Sequence, residues 1–310
     1  MITAPPSERC GTWGYRSFRE YLARRFPGRR IRKLCLHAGF TCPNIDGRVA
    51  RGGCSYCNNE GFAPRLCSAG DLRRQWDRGR AAPRRRHRRV DGFIAYFQSF
   101  SGTYADLASL RRIYDPVPAA YPECVGLAIG TRPDCVADPV LDYCAGLAAR
   151  LPHFSLELGL QSDRDAVLRT LNRGHDVACF LDAVDRAARR AIPLCAHVIL
   201  GLPGEGADAP ERLGRLLSRL PVRFVKVHNF HVMRDTPLER AYLRGDLRAP
   251  PAAAYIAMVT RLIAELRDDQ YLERVIADAP AHILRSGAWC HDKQAILQRM
   301  RVALEDRHAR

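Results

Sequence analysis

Cys42, Cys54 and Cys57 stand in the segment HAGFTCPNIDGRVARGGCSYC, whose residue types suit metal chemistry. Eleven residues separate the first two cysteines, two separate the last pair, and three glycines lie between the first and the last. A C-x-x-C pair clamps one metal centre, and a third cysteine from a turn-rich loop completes a three-thiolate face. Structural zinc takes four tetrahedral ligands, and iron–sulfur clusters usually take four thiolates. Three cysteines therefore suggest a cluster with one iron left for a small molecule. Structural zinc with a fourth ligand from Cys35, His37 or Cys67 also fits, as does a redox pair at Cys54 and Cys57. Spacing alone leaves all three open.

The elements that must position these residues alternate along the chain. Short apolar runs at 31–37, 92–98, 125–130, 154–161, 195–201 and 224–230 are of strand length and rich in aliphatic or β-branched residues. Helical patterns lie between them, as at 139–151 and 177–191. This alternation predicts a parallel sheet, open or closed into a barrel. In parallel α/β folds, ligands bind beyond the carboxyl ends of the strands. There the sequence places Cys42, then Gln98 and Ser99, then Thr131 to Asp134, then Gln161, then the glycine-rich 201–205, then His228 and Asn229. Polar residues follow strands in any α/β protein, so no single position among these decides the site.

The chain has 310 residues and is 47% apolar, enough for a packed core. No apolar run reaches the roughly 18 residues of a membrane helix, and the segment MITAPPSERC lacks a signal-type apolar stretch. A cytoplasmic protein with no membrane association is expected. Twelve cysteines then read as reduced thiols rather than a disulfide framework, with Cys35, Cys124, Cys144, Cys179 and Cys195 as small buried hydrophobes. The formal charge is +16, almost all of it from arginine, because Lys33, Lys226 and Lys293 are the only lysines. Such a surface attracts polyanions. Seven arginines fall within residues 78–89, in an insertion at about 70–90. A block of this charge density is expected to be mobile in isolation.

The pattern divides the chain into an N-terminal extension (1–30), a barrel (31–245) and a C-terminal appendage (246–310). In the appendage Tyr255, Met258, Val259, Leu262, Ile263 and Leu266 mark a helix face, 271–277 suits a strand and 294–307 another helix.

The chain resembles the radical SAM superfamily, and within it the YhcC/YtqA-like bacterial family. The resemblance is carried by LHAGFTCPNIDGRVARGGCSYC, AYFQSFSGTYA, GTRPDCV, LELGLQS, NRGHD, HVILGLPGEG and FVKVHNFHVMRDTPL, in that order. More distantly the chain is similar to the radical SAM domain of the Elongator catalytic subunit and to oxygen-independent coproporphyrinogen oxidase. The resemblance implies an α/β fold, a partial (β/α)6 TIM-like barrel, here with a C-terminal α/β appendage. It implies a [4Fe–4S] cluster on Cys42, Cys54 and Cys57, whose fourth iron takes S-adenosylmethionine. It also implies an electron donor such as flavodoxin or ferredoxin. Gln161 and Arg173 match residues that touch the cofactor in related enzymes. Tyr56 fits the aromatic position between the paired cysteines. Gln98 and Ser99 take the place of a glycine-glycine-glutamate motif that this chain lacks, Thr131 lies in GTRPDCV, and His197 stands where the porphyrinogen oxidase relatives have aspartate. The Elongator likeness and the charge together suggest an RNA substrate, such as a tRNA wobble uridine. A small metabolite or protein side chain is the alternative substrate. A zinc-bearing RNA-binding protein without catalysis is the alternative of another class.

Overall fold

The structure is a computed structural model that describes residues 13–58, 71–86 and 89–308, without the side chains of 82–86 and 308. Cys67 and most of the side chains of the arginine run therefore lie outside the described residues.

Seven strands form one sheet in the order of the chain: β1 (Ile31–Leu36), β2 (Gly92–Phe97), β3 (Cys124–Thr131), β4 (His153–Gln161), β5 (Leu194–Leu200), β6 (Phe224–Asn229) and β7 (Tyr271–Arg274). Every neighbouring pair is parallel. The expected partial barrel is present. The strand expected in the appendage pairs with β6 and extends the same sheet as its seventh strand.

The longer helices are α1 (Phe18–Arg25), α2 (Leu72–Arg86), α3 (Leu107–Tyr114), α4 (Asp138–Arg150), α5 (Val177–Ala188), α6 (Ala209–Arg219), α7 (Ala252–Glu265) and α8 (Lys293–His308). The outward side chains of the strands, such as Leu34, Phe97, Leu127, Leu158, Val198 and Val225, form one core with α2 to α8. The arginine run is helical as far as Arg86. Trp76 on α2 is fully buried, stacks on Tyr121 at 4.3 Å and meets Phe93 edge-on, which anchors the helix against the barrel.

The inward side chains form layers. At the N-terminal ends of the strands Ile31, Phe224 and Tyr271 pack with Phe18, Tyr21 and Leu22 of α1. A Ser17–Glu20 capping box starts that helix, and the Tyr21 hydroxyl meets His153 Nδ1 at 3.0 Å. The barrel is thus plugged at this end. Above the plug lies a layer of four charges, with the Lys33 side chain half-buried and the other three buried. Lys33 contacts Glu157 at 2.5 Å and Glu273 at 2.6 Å, and Lys226 contacts Glu157 and, at 3.1 Å, Glu273. Lys33 on β1 thus reaches Glu273 on β7 across the interior, which shows how far the sheet has curled. Lys226 also donates to the Tyr96 hydroxyl at 3.1 Å.

Burial pushes the Glu157 carboxyl up, but Lys226 and Lys33 outweigh it and hold it well below the usual range. The layer's stabilisation is therefore present above the unfolded carboxylate value of about 4.3 and is lost as pH falls through the folded value. Glu157→Gln leaves two ammonium groups short of a counter-charge. It should lower unfolding free energy by about 3–5 kcal/mol, measured by urea denaturation. Asp185→Asn breaks a pair with Arg189 in which both side chains are more than half exposed, and should cost less than about 1 kcal/mol. Equal effects would show that the interior layer carries no special weight.

Candidate active site

The C-terminal ends of the strands open into a cavity of about 660 Å³, within the range of small-molecule and cofactor sites. Cys42, Cys54, Tyr56, Cys57, Gln98, Thr131, Gln161, Arg173 and His197 all line it. Residues scattered over more than 150 positions of sequence thus meet in one space. Ser99 is buried outside that lining, with its hydroxyl unpartnered among the described residues. Of the other strand-end residues, His228 and Asn229 line the cavity, while the glycine-rich 201–205 does not.

The cysteine loop is strapped to the segment that follows β4. Asn172 Nδ2 donates to the carbonyls of Gly53 at 2.8 Å and Arg51 at 3.2 Å. Asn44 Nδ2 donates to the Asn172 carbonyl and approaches Cys54 Sγ at 3.5 Å. Ser55 binds the same segment through Leu171 O at 2.9 Å and Thr170 O at 3.1 Å. Gly174 has φ +73°, and a Cβ there would lie 2.4 Å from Asn44 Oδ1, so the strap requires glycine.

Arg173 leaves this strap and enters the cavity wall. It is 6% exposed, so it is no surface arginine, and Asp176 beside it caps α5 through the Cys179 amide at 2.8 Å. Its guanidinium reaches Gly159 O at 3.0 Å and Cys54 Sγ at 3.5 Å. A Cβ on Gly159 would lie 2.5 Å from Gln161 Nε2 and 2.6 Å from Arg173 Nη2. The glycine therefore makes room for both polar groups. Gln161 has φ +74°, unusual for a residue other than glycine, at a register shift between β4 and β5. Arg132 closes the wall with a two-pronged pair to Asp134, both contacts at 2.8 Å, and a bond to Arg173 O at 2.7 Å. Thr131 shares a 2.6 Å hydrogen bond with Thr103.

Burial raises the Cys57 thiol, Cys54 and Cys42 raise it further, and Arg173 opposes them. Burial works against the Arg173 charge, yet Tyr56 and the sulfurs of Cys54 and Cys42 hold its pKa above the ordinary value. The three thiols and the guanidinium thus form one electrostatic unit. Among the described residues, groups of three metal-ligating side chains with all ligand atoms within 4.8 Å reduce to Glu157, Cys195 and His197. The three loop sulfurs are spread more widely than that. A tetrahedral zinc with bonds of about 2.3 Å would draw its sulfurs to about 3.8 Å from one another. The wider face fits a cluster, whose thiolates sit on different irons. Asn44 Oδ1 and Arg173 Nε, both buried here, have no protein partner among the described residues. Such orphaned polar atoms suit a site that takes up a polar ligand.

The Glu157–Cys195–His197 group is poorly suited to a cation, because Lys33 and Lys226 already occupy the carboxylate. His197 Nε2 lies 2.7 Å from Glu157. Burial, then Lys226, push the imidazole down to about 4. It is therefore neutral at pH 7, and the anionic Glu157 fixes its proton on Nε2.

Sequence reasoning missed the charge layer, Cys35 and Arg274. Cys35, expected as a buried hydrophobe, is accessible from the cavity because it occupies an inward position of β1. Cys144 and Cys195 are buried as expected, and Cys124 and Cys179 are half-buried. One signal was available. An arginine-rich chain with only three lysines places two of them inside strands, where the compact ammonium is needed.

The profile described as "Radical SAM superfamily" matches residues 45–217, and that described as "Radical_SAM C-terminal domain" matches 222–306. Protein YhcC of Escherichia coli K12 is 34% identical over 273 residues, covering 88% of this chain and 86% of that one. The tRNA uridine(34) acetyltransferase of Dehalococcoides mccartyi is 26% identical over 222 residues, 70% of this chain and 46% of that protein. The solved structure of Methanocaldococcus infernus Elp3 superposes with TM-score 0.65 at 15% identity, over 91% of this chain and 64% of that one. The last likeness is one of fold.

Gly174→Ala forces a side chain into the left-handed region and against Asn44, and should destabilise the protein by about 1–3 kcal/mol. Gly146 lies in α4 with open space around it, so Gly146→Ala should be neutral or stabilising by up to about 1 kcal/mol. Urea unfolding of the two variants compares the strap with an ordinary glycine, and a neutral Gly174→Ala would show that the strap is slack.

Proposed function

Because the chain belongs to the radical SAM superfamily, we propose that Cys42, Cys54 and Cys57 hold its cluster and that Arg173 and Gln161 bind its S-adenosylmethionine. The protein is an enzyme of that superfamily, with a [4Fe–4S] cluster and S-adenosylmethionine as cofactors. When bound, they supply one-electron cleavage of the sulfonium to a 5′-deoxyadenosyl radical that takes a hydrogen atom from the substrate. The observation that carries the assignment is the convergence of the three cysteines, Gln161 and Arg173 on one cavity.

The chain's own residues hold and orient. The Arg173 fork suits a carboxylate, and its position beside Cys54 would set that carboxylate against the cluster face. Tyr56 covers the paired cysteines. Gln98 and Thr131 line the wall formed by the ends of β2 and β3, and Ser99 lies buried next to Gln98. His197, neutral and tethered to Glu157, offers Nδ1 as an acceptor at the inner end. An external electron donor of the flavodoxin or ferredoxin type completes the system.

The substrate we favour is RNA, and within it a tRNA uridine. Support comes from the relative named as a tRNA uridine(34) acetyltransferase and from the +16 charge, which favours a polyanion. No helix among the described residues is long and apolar enough to cross a membrane.

Protein reconstituted without oxygen should hold about four iron and four sulfide per chain and release 5′-deoxyadenosine with a strong reductant. Cys42→Ala, Cys54→Ala or Cys57→Ala should abolish both, and Cys124→Ala neither. Stoichiometric zinc in place of iron would overturn the assignment. A deletion strain should lack one tRNA nucleoside modification. A normal nucleoside profile, together with tRNA binding no tighter than heparin, would turn the reading to a small metabolite or protein side chain.

A further inference from the structure

Three guanidinium groups line the cavity, those of Arg132, Arg173 and Arg274. Arg132 is paired with Asp134. Arg173 is bound to Gly159 O and Cys54. Arg274, at the end of β7, has no carboxylate or hydrogen-bond partner among the described residues. The acidic residues that share the cavity are engaged elsewhere. Glu157 is held by Lys33 and Lys226, and Asp278 pairs with Lys293 at 2.9 Å.

The charge of the inner wall follows. Lys33 and Lys226 balance Glu157 and Glu273, which leaves Arg274 as an uncompensated positive charge. It acts on Cys35, Tyr96 and His228, which belong to the inner end of the cavity, whereas Arg173 acts on the cysteine loop. A half-buried guanidinium without a counter-charge is costly unless an anion completes it. Burial, then Arg274, hold His228 neutral, so this imidazole adds a hydrogen-bond donor without adding charge.

We propose that Arg274 is the substrate's anion subsite: it seats a phosphate or carboxylate oxygen group of the substrate at the inner end of the cavity, away from the cysteine loop, and so fixes how the substrate enters. The subsite deepens the proposed function and rests on it in taking this cavity as the substrate's.

The test uses the full chain reconstituted anaerobically, with uridine monophosphate, uridine and succinate as probes in calorimetry. Loss of a charge-assisted contact weakens binding by roughly ten- to a hundredfold. Uridine monophosphate should therefore bind wild type that much more tightly than Arg274→Gln, with Arg274→Lys between them. Uridine should bind both alike. Dependence on Arg274 for uridine monophosphate identifies a phosphate source, and dependence for succinate alone identifies a carboxylate source. Dependence for neither overturns the subsite.

Wild type gives a second measurement that needs no variant. Cys35 lines the same cavity as Arg274, which acts on it ahead of Lys226 and Lys33, so the ratio of alkylation by anionic iodoacetate to neutral iodoacetamide should be higher at Cys35 than at Cys124 or Cys179, read by mass spectrometry. An equal ratio at all three overturns the subsite. Iron content and 5′-deoxyadenosine release from the wild type test the proposed function separately. If those fail while the Cys35 ratio holds, the radical chemistry falls and the anion subsite stands.

Discussion

Four charges share one layer inside the half-barrel, and the site above depends on their balance. Lys33, Lys226, Glu157 and Glu273 come from the first, sixth, fourth and seventh strands. An apolar layer at this level would close the barrel throughout, as the aromatic plug below it does. An unpaired charge there would be lost to neutralisation or would draw in water. The paired layer is polar, neutral in sum and rigid, because each ammonium meets two carboxylates. It also sets the state of what rests on it. Glu157 fixes the tautomer of His197, and Lys226 helps to keep that imidazole uncharged. Two lysines suit this place because a compact ammonium fits between strands where a planar guanidinium of the same charge does not.

The far wall is built by different means. The cysteine loop has little regular structure of its own, and its shape comes from the strap to Thr170–Gly174. That strap places Arg173 and the loop sulfurs together. Two glycines make it possible, Gly174 by its left-handed backbone and Gly159 by the space it leaves. The loop and the guanidinium therefore move as one unit, and the geometry of the thiol face is inherited from β4.

Much of this was legible in the sequence, and the unread part has a common cause. Strand ends were readable because polar residues follow apolar runs, and these ends in a parallel sheet share one side. Gln98, Thr131, Gln161 and His228 all reach the cavity on that logic. The cysteine loop was readable from its spacing. What the alternation of a strand does not reveal is which face is inside a curled sheet. Cys35 and Lys33 share the inward face of β1, and Cys35 looked like a buried apolar residue because its neighbours Leu34 and Leu36 face the helices. Glu273 and Arg274 were hidden for another reason. They act only because β7 pairs with β6, and YLER carries no mark of that pairing.

The two ends of the cavity draw on different parts of the chain. The thiols, Gln161 and Arg173 belong to the segment from β1 to the strap that follows β4, within or next to the span matched at 45–217. Arg274, Asp278 and the β6 residues His228 and Asn229 fall in the span matched at 222–306. A parallel barrel permits this separation, since each strand pairs only with its neighbours and adds its own inward column. On the proposed assignment the early strands hold the cofactors and the last two meet the substrate. Substitutions on β6 and β7 can then change what is bound at the inner end without disturbing the strap that shapes the thiol face. The constraint on such changes is the charge layer. Lys226 and Glu273 stand on the same two strands as His228 and Arg274, two residues before the one and directly before the other, so a new substrate contact is free to vary only where it leaves that pairing intact.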